Sequence, residues 1–289
     1  MLKKILLGFV GVIAVGAIGC GAYWCVNGER LKAEYAAFRK TGAPVLMYHG
    51  VDKTRPAGWP KSLVLPTDQF ESHLRYLKEQ GYTMVTVAEL AKRLESGKSV
   101  DKYVAFSFDD GYTNNLTVAV PLMQKYGAKG SFFVVNSKIG KEYYMDEPQI
   151  KQLIAAGMEL GSHTYSHNPL ADIEEKYLVW ETDTSRYWLK KKFDGYIVRT
   201  LAYPNGSYND RVIAAAKKYG FYRALTGHIG LNTAETYKKA PMEMYRVTVA
   251  DDGKGLEGFK ERLEQAYLFG FLQTKGINVN IIRDIFVSD

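Results

Sequence analysis

The sequence predicts an α/β protein whose main domain is a distorted or incomplete (β/α) barrel of about seven parallel strands, preceded by one N-terminal transmembrane helix. Three observations lead to this prediction. Short apolar runs alternate with amphipathic segments of helical length, a glycine follows most helical segments, and a long uncharged apolar stretch opens the chain. Strict alternation of strands and helices is typical of a parallel sheet with crossover helices.

The predicted elements follow one another in a regular order. The helix that starts at Thr67 shows the pattern, because Phe70 and Leu74 share one face and Gly81 stands where the helix ends. Strands are predicted at residues 45–48, 84–87, 103–108, 130–135, 158–162, 200–203, 221–225 and 245–249. Helices are predicted at residues 67–80, 88–94, 116–126, 148–156, 173–192 and 210–219.

Composition and charge argue against several classes of function. The net charge is +7, but no run of Lys and Arg concentrates it, so we expect no nucleic-acid partner. Both cysteines, Cys20 and Cys25, lie near the N-terminus, which leaves the main domain without a disulfide or a cysteine-based zinc site. No Gly-rich dinucleotide motif or Walker loop occurs, so a nucleotide site lacks its motif. The sequence predicts no particular protein partner.

The N-terminus carries a membrane signal. Residues 5–26 contain no charged side chain, and a helix of this length rises roughly 33 Å, enough to cross a bilayer core. Lys3 and Lys4 precede the run, which places the N-terminus in the cytoplasm and the rest of the chain outside. An uncleaved anchor is the first interpretation. The alternatives are a lipoprotein, since residues 17–20 resemble a lipobox ending at Cys20, and a cleaved signal peptide.

The chain then divides into four predicted parts. Residues 1–27 form the membrane anchor or signal segment, and residues 28–43 form a short helical stalk, since they are polar and rich in Ala and Lys. Residues 44–250 form the main domain. Residues 251–289 form a C-terminal extension that could pack on the barrel or bind a partner.

Polar residues gather where the predicted strands end. In a parallel barrel the carboxyl ends of all strands open onto one face, and barrel active sites lie on that face. Segments far apart in the sequence would therefore converge there. The segments are His49 after the first strand, Asp109 and Asp110 after the strand at 103–108, His163 and His167 after the strand at 158–162, and residues 204–206 after the strand at 200–203.

Each of these segments alone has a simpler interpretation. Asp109 and Asp110 before Gly111 are typical of a turn, and two histidines can be unrelated surface residues. If residues 163–167 are helical, however, His163 and His167 point the same way and can bind one metal. With one aspartate they supply three ligands and leave positions open for water and substrate, as catalytic metal sites do.

The chemistry predicted from these residues is hydrolysis of an amide or ester. A bound divalent cation polarises a carbonyl and lowers the pKa of its water. One aspartate of the pair can bind the metal while the other acts as general base. His49 is the predicted acid for the leaving group.

Together these segments resemble the polysaccharide deacetylases with a NodB homology domain, carbohydrate esterase family 4. The pieces that carry the resemblance are Ser-Phe-Asp-Asp-Gly-Tyr at 107–112, Ser-His-Thr-Tyr-Ser-His at 162–167 and Leu-Ala-Tyr-Pro-Asn-Gly at 201–206. Their order and spacing agree over residues 44–250. The opening Val-Leu-Met-Tyr-His-Gly-Val at 45–51 resembles the branch that deacetylates poly-β-1,6-N-acetylglucosamine at bacterial surfaces.

The resemblance implies a role for each matching position. Asp109 is the expected general base, and His49 is the expected acid of this branch. The expected metal ligands are Asp110, His163 and His167. The expected substrate groove contains Tyr203, Pro204, Asn205 and Tyr112, with the backbone N–H after the proline helping to hold the oxyanion.

Two departures from the family pattern affect this assignment, and a second candidate acid is present. Many relatives have an arginine that supports the base two positions before the proline, but Ala202 stands there and Arg199 is displaced from it. Asn205 replaces the usual aromatic residue. His228, in the segment at 226–230, is a second candidate acid, and we prefer His49 because it directly ends a strand.

Trp59, in the loop after the first strand, could line a sugar groove or cover the core.

Together with the apolar stretch at residues 5–26, the resemblance indicates a bacterial cell-membrane protein, either a single-pass anchor or a lipoprotein, with its catalytic domain extracellular. The expected reaction is metal-dependent removal of N-acetyl groups from a surface N-acetylglucosamine polymer, releasing acetate. Zn²⁺ is the expected metal, and Co²⁺ or Ni²⁺ would also fit. Deacetylation of peptidoglycan or chitin oligomers is an alternative, as is a catalytically silent glycan-binding module anchored at the surface.

Overall fold

The structure is a computed structural model that describes residues 17–277 and residue 279, with side chains from residue 28 onward. Its strands are β1 (Gly42–Ala43), β2 (Val45–Tyr48), β3 (Gly50–Asp52), β4 (Val64–Pro66), β5 (Thr83–Val85), β6 (Tyr103–Phe108), β7 (Ser131–Val134), β8 (Glu159–Ser162), β9 (Thr200–Ala202), β10 (Arg223–Leu225), β11 (Asn232–Thr233) and β12 (Val247–Thr248).

The helices fill the intervals between the strands. The α-helices are Ala17–Phe38, Thr67–Glu79, Val87–Glu95, Val120–Lys125, Glu147–Ala155, Glu175–Val179, Ser185–Lys192, Asp210–Lys218, Ala234–Lys239 and Gly255–Thr274. Two π-helical turns, Asn115–Ala119 and Trp180–Thr184, interrupt what the sequence predicts as continuous helices. Short 3₁₀ turns lie at Lys61–Leu63, Asn136–Lys138 and Pro204–Gly206.

The main sheet is parallel and curls into part of a barrel. Seven of its strands follow the order β10-β9-β8-β7-β6-β2-β12, and β5 pairs with the first half of β6. Every pairing within this sheet is parallel. The predicted fold class, an incomplete (β/α) barrel of parallel strands, is therefore confirmed. Two small two-stranded sheets, β1 with β11 and β3 with β4, accompany it.

One segment near the end of the barrel domain reaches both edges of the curled sheet. At the β10 edge, the Thr226 N–H donates to the Met244 carbonyl at 3.0 Å. At the other edge, Val247 and Thr248 form β12, which pairs with β2. The two residues between these contacts are Tyr245 and Arg246, and they are consequently held across the opening of the barrel.

The core lies between the sheet and the helices outside it. Tyr48, Phe106, Phe108 and Phe132 are fully buried on the central strands β2, β6 and β7, and their rings stack at centroid distances of 4.6 to 5.8 Å. Three of them, Tyr48, Phe106 and Phe108, pack against Phe70 of the helix Thr67–Glu79 outside the sheet. The strand β6, which the two aspartates follow, is therefore held by a closely packed core.

The C-terminal extension packs on the barrel domain. The helix Gly255–Thr274 lies against the helix Thr67–Glu79, where the Phe259 ring stacks on His73 at 4.1 Å. Phe259, Leu263 and Tyr267 are buried there. Of the two roles that the sequence left open for this segment, the structure shows packing on the barrel.

The N-terminal helix Ala17–Phe38 belongs to a separate compact unit that ends at Arg39. In the part of the chain that the structure describes, no helix is both long and apolar enough to span a membrane. The predicted span at residues 5–26 lies mostly outside the described residues, and for its last part only the backbone is described.

Candidate active site

The polar segments predicted at the strand ends converge on one open cavity of about 750 Å³. The cavity lies at the carboxyl ends of the strands, where β2, β6, β8 and β9 each contribute the residues that follow them. Of the residues that the sequence singled out, those lining it are His49, Trp59, Asp109, Asp110, Tyr112, His163, His167, Tyr203, Asn205 and Gly206.

Three of these side chains form a group that could hold a metal ion. Asp110, His163 and His167 each offer one ligand atom, and the three atoms lie within 4.8 Å of one another. His167 Nε2 is 3.3 Å from Asp110 Oδ1, and His163 Nε2 is 3.9 Å from the same oxygen. Two imidazole nitrogens and one carboxylate oxygen are a donor set typical of catalytic zinc and related divalent cations.

The imidazoles are in the form and direction that metal binding needs. His163 Nδ1 lies 2.8 Å from the Ala202 carbonyl oxygen, so Nδ1 carries the proton and donates it to that oxygen. Nε2 is therefore unprotonated, and its lone pair is free to bind a metal ion. Burial, and then the neighbouring His163, lower the pKa of His167 to about 4, which keeps its ring neutral. Neutral imidazole is the metal-binding form, so the residues present fit a divalent cation.

The two histidines converge through a loop and not through a helix. Residues 163–167 have no helical structure, and Thr164 and His167 have φ values of 67° and 69°. The backbone N–H groups of this loop donate hydrogen bonds to side-chain oxygens, and not to the backbone carbonyls that a helix would offer. The Thr164 N–H donates to Ser162 Oγ, and the His167 N–H donates to Thr164 Oγ1. The helical geometry considered from the spacing of the two histidines is therefore wrong, although the convergence that it implied is present.

A buried carboxylate holds the middle of this loop. Glu181 is 2% exposed and accepts hydrogen bonds from the N–H groups of Tyr165 and Ser166, at 2.9 and 2.8 Å, and from the Ser166 hydroxyl. It lies in the π-helical turn Trp180–Thr184, a feature often found at functional sites. Glu181 thus fixes the backbone between the two histidine ligands.

We expect Glu181→Gln to weaken metal binding about 10- to 100-fold, as loss of an outer-shell partner does. The amide has one acceptor oxygen and no charge, so it cannot satisfy both loop N–H groups and the hydroxyl equally. Zinc affinity measured by competition with a chromogenic chelator would test this. Asp183→Asn is the matched control, because Asp183 lies in the same turn and is partly exposed. Equal zinc affinity of the Glu181 variant and wild type would contradict the expectation.

Asp109 is held by an arginine that the sequence analysis missed. The carboxylate is 2% exposed, and Arg246 Nη1 donates to both of its oxygens, at 2.8 and 2.7 Å. Burial acts to raise the pKa of Asp109, but Arg246, followed by His163 and His49, outweighs it and holds this pKa below its usual range. Asp109 is therefore a carboxylate beside the metal group, able to accept a proton.

Arg246 is itself fixed in place. Its Nε donates to the Thr226 carbonyl at 2.8 Å, and its side chain is 2% exposed. Arg199, the nearer arginine in sequence to the usual position, stacks on Tyr222 instead. The one signal in the sequence was an arginine inside the predicted strand at residues 245–249, because a charge buried there requires a partner.

The structure separates the two candidate acids. His49 lines the cavity, and its Nδ1 is buried with no hydrogen-bond partner among the described residues. Burial lowers the pKa of His49, while the Asp109 and Asp110 carboxylates act to raise it. His228 is not among the residues lining the cavity, and its ring lies 6.0 Å from that of Tyr208. The geometry therefore favours His49.

Of the residues predicted to form the substrate groove, Asn205 is exposed, whereas the other three are buried: Tyr112, Tyr203 and Pro204. Asn205 lines the cavity with a φ of 53°, and Pro204 is buried behind it. The Tyr203 ring is fully buried, and its hydroxyl donates to the Met242 carbonyl at 3.1 Å. Tyr112 is 4% exposed. Burial, and then the neighbouring Asp110 carboxylate, raise the pKa of Tyr112.

The Asp-Asp-Gly turn after β6 gives the two carboxylates different surroundings. Asp110 and Gly111 have φ values of 72° and 81°, and a Cβ on Gly111 would lie 2.9 Å from the Val134 side chain. This left-handed turn leaves Asp109 against Arg246 and Asp110 toward the histidines. A parallel half-barrel with three potential metal ligands beside a buried carboxylate is typical of metal-dependent hydrolases, and the fold and the site place the protein in that class.

Comparisons with known proteins identify the family. The polysaccharide deacetylase family profile matches residues 96–224. The protein YxkH of Bacillus subtilis (strain 168), assigned to the polysaccharide deacetylases, is 31% identical over 216 residues, which is 73% of each chain. The chain therefore belongs to the polysaccharide deacetylase family, carbohydrate esterase family 4, and it is a hydrolase acting on carbon–nitrogen bonds.

Further relatives and solved structures agree with this family. The poly-β-1,6-N-acetyl-D-glucosamine N-deacetylase of Staphylococcus epidermidis is 28% identical over 224 residues, which is 69% of this chain and 76% of the relative. The polysaccharide deacetylase BC0361 of Bacillus cereus is 26% identical with a TM-score of 0.67, covering 78% of this chain and 69% of that structure. IcaB of Ammonifex degensii is 25% identical with a TM-score of 0.65, covering 74% and 94%.

Proposed function

We propose that this protein removes N-acetyl groups from a cell-surface polymer of N-acetylglucosamine, specifically poly-β-1,6-N-acetylglucosamine, and releases acetate. The observation that carries the proposal is the group of Asp110, His163 and His167 beside the carboxylate of Asp109. The Staphylococcus epidermidis relative that acts on this polymer supports the choice of substrate. The resemblance of residues 45–51 to the family branch that deacetylates this polymer also supports the choice of substrate.

The residues of the cavity fit the two proton transfers of this reaction. A divalent cation, when bound by the three ligands, supplies Lewis-acid polarisation of the acetamide carbonyl and a lowered pKa for water. Asp109 takes the proton of the attacking water, since its carboxylate is ionised and buried beside the site. His49 gives a proton to the amine nitrogen as the carbon–nitrogen bond breaks, and acetate leaves. The Asn205 N–H, after Pro204, is the proposed donor to the oxyanion.

The proposed metal is Zn²⁺, because two imidazoles and one carboxylate suit zinc, although Co²⁺ and Ni²⁺ would also bind this donor set. We also propose that the protein acts outside the bacterial cell membrane, to which residues 1–27 attach it as an anchor or as a lipidated Cys20. Mass spectrometry of the membrane-extracted protein distinguishes these two forms. A mature chain that starts after Cys20 without a lipid would contradict both.

Acetate release by the full-length protein tests the proposed function. The substrates are β-1,6-linked N-acetylglucosamine oligomers, chitin oligomers and peptidoglycan, each with and without chelator and with zinc added back. We expect acetate from the β-1,6-linked oligomers, its loss with chelator and its return with zinc. Acetate from chitin or peptidoglycan alone would contradict the proposed polymer. No acetate from any substrate, with zinc bound, would contradict deacetylation and indicate a glycan-binding module.

The assignment of the acid has its own pair of variants in the same assay. His49→Ala should lower turnover by about 10²-fold or more, the usual contribution of a positioned general acid. His228→Ala should retain most of the turnover, because His228 does not line the cavity. The reverse result would move the acid to His228.

A further inference from the structure

One aromatic side chain that lines the cavity, and a second that packs against it from outside the cavity lining, have no part in the chemistry proposed above. Trp59, in the loop after β3, lines the cavity, and Tyr143, in the loop after β7, is 49% exposed. Their ring centroids are 5.4 Å apart, with the ring planes at 68°. The sequence left open whether Trp59 covers the core or faces a sugar groove. Its position at the cavity, against an exposed ring, favours the groove.

The backbone ties Tyr143 to the segment that carries the two aspartates. The Thr113 N–H donates to the Tyr143 carbonyl at 2.8 Å, and the Met145 N–H donates to the Gly111 carbonyl at 3.0 Å. On the other side, the Trp59 ring packs on Tyr112 at a centroid distance of 5.0 Å. The two rings are therefore held at a fixed position relative to Asp109 and Asp110.

The conformation of Tyr143 is unusual for an exposed aromatic residue. Its φ is 70°, in the left-handed region that bulky side chains rarely adopt. Because the ring is half exposed, burial in the core does not account for its placement. Backbone strain that the surroundings maintain is found preferentially at ligand-binding positions.

We propose that Trp59 and Tyr143 form a sugar-binding subsite, the aromatic subsite, which stacks against the C–H face of a pyranose ring in the polysaccharide. That ring belongs to a unit neighbouring the one whose acetamide lies at the metal group. The aromatic faces bury the apolar face of the sugar, and the polar edges of the rings remain available to its hydroxyls. This inference rests on the proposed function and adds that the enzyme selects chains over single sugars.

Steady-state kinetics of the full-length protein loaded with zinc tests the aromatic subsite. The measured quantity is the ratio of kcat/KM for a β-1,6-linked N-acetylglucosamine pentamer to kcat/KM for the monomer. We expect Tyr143→Ala and Trp59→Ala each to lower this ratio about tenfold, mainly through a higher KM for the pentamer. Tyr187→Ala is the matched control, since Tyr187 is 62% exposed on the helix Ser185–Lys192 and does not line the cavity. An unchanged ratio in both variants would overturn the proposal.

Intrinsic fluorescence separates this inference from the proposed function. Adding the pentamer to wild type should change the tryptophan emission, and Trp59→Phe should lose that change. If this holds while wild type releases no acetate, the aromatic subsite stands and the proposed reaction fails. If acetate is released but the emission change is the same in Trp59→Phe and wild type, the reaction stands and the aromatic subsite is wrong.

Discussion

Replacing Asp110 with alanine should abolish both metal retention and acetate release. The substitution removes the one carboxylate of the three-ligand group and leaves two imidazole donors, too few to hold a divalent cation firmly. Because the metal supplies several kcal/mol of transition-state stabilisation, we expect turnover to fall by at least about 10³-fold. Elemental analysis of the purified variant, together with the acetate assay, measures both losses.

The control for this variant is Asp101→Ala. Asp101 is exposed in the turn before β6, at the end of the strand away from the cavity, so its loss should change neither metal content nor turnover. A circular dichroism spectrum like that of wild type would show that Asp110→Ala has folded. A folded Asp110→Ala protein with wild-type turnover would show that the metal group is misassigned.

Replacing Arg246 with methionine should destabilise the protein and also remove most of its activity. The change leaves the Asp109 carboxylate buried without its guanidinium partner, which costs about 3–5 kcal/mol in comparable buried pairs. The base also loses the group that holds its carboxylate in position, so we expect turnover to fall by about 10²-fold. Urea unfolding and acetate release measure the two effects. Arg246→Met with wild-type stability and turnover would refute the role given to the pair.

The double variant Asp109→Asn with Arg246→Met separates charge from packing. Removing both charges takes away the unpaired buried carboxylate, so stability should recover toward that of wild type while activity stays lost. Arg246→Lys is the second comparison. It keeps a positive charge near Asp109 but loses the Nε bond to the Thr226 carbonyl, so both stability and turnover should lie between wild type and Arg246→Met.

The metal group was predictable because Asp110 and His163 lie within two residues of the ends of β6 and β8, and His167 follows in the same loop as His163. In a parallel barrel, the position after β6 and the position after β8 must lie on the same face, whatever the loops do. The two histidines needed no helix for this, since Glu181 and the side chains of Ser162 and Thr164 give their loop a fixed shape. Neither the left-handed residues of this loop nor the π-helical turn that carries Glu181 has a signal in the sequence.

The pairing of Arg246 with the general base Asp109 was not predictable in the same way. Arg246 is 137 residues from Asp109, and neither belongs to a short motif that contains the other. A buried carboxylate requires a compensating charge, but any strand around the mouth can supply it. Here the family position is taken by Ala202, whose carbonyl orients His163, and the guanidinium comes from the segment between the two edges of the sheet.

The sequence by itself determined the alternation of strands and helices, the parallel incomplete barrel, and the aspartate and histidines at its mouth, because these follow from periodicity and from the position of residues at strand ends. Only the tertiary structure decided which arginine pairs with Asp109, what fixes the histidine loop, and where Trp59 and Tyr143 meet beside the cavity. Those contacts join segments whose distance in sequence carries no local pattern. They depend on burial, charge compensation and ring packing, which exist only once the barrel has curled and brought its loops together.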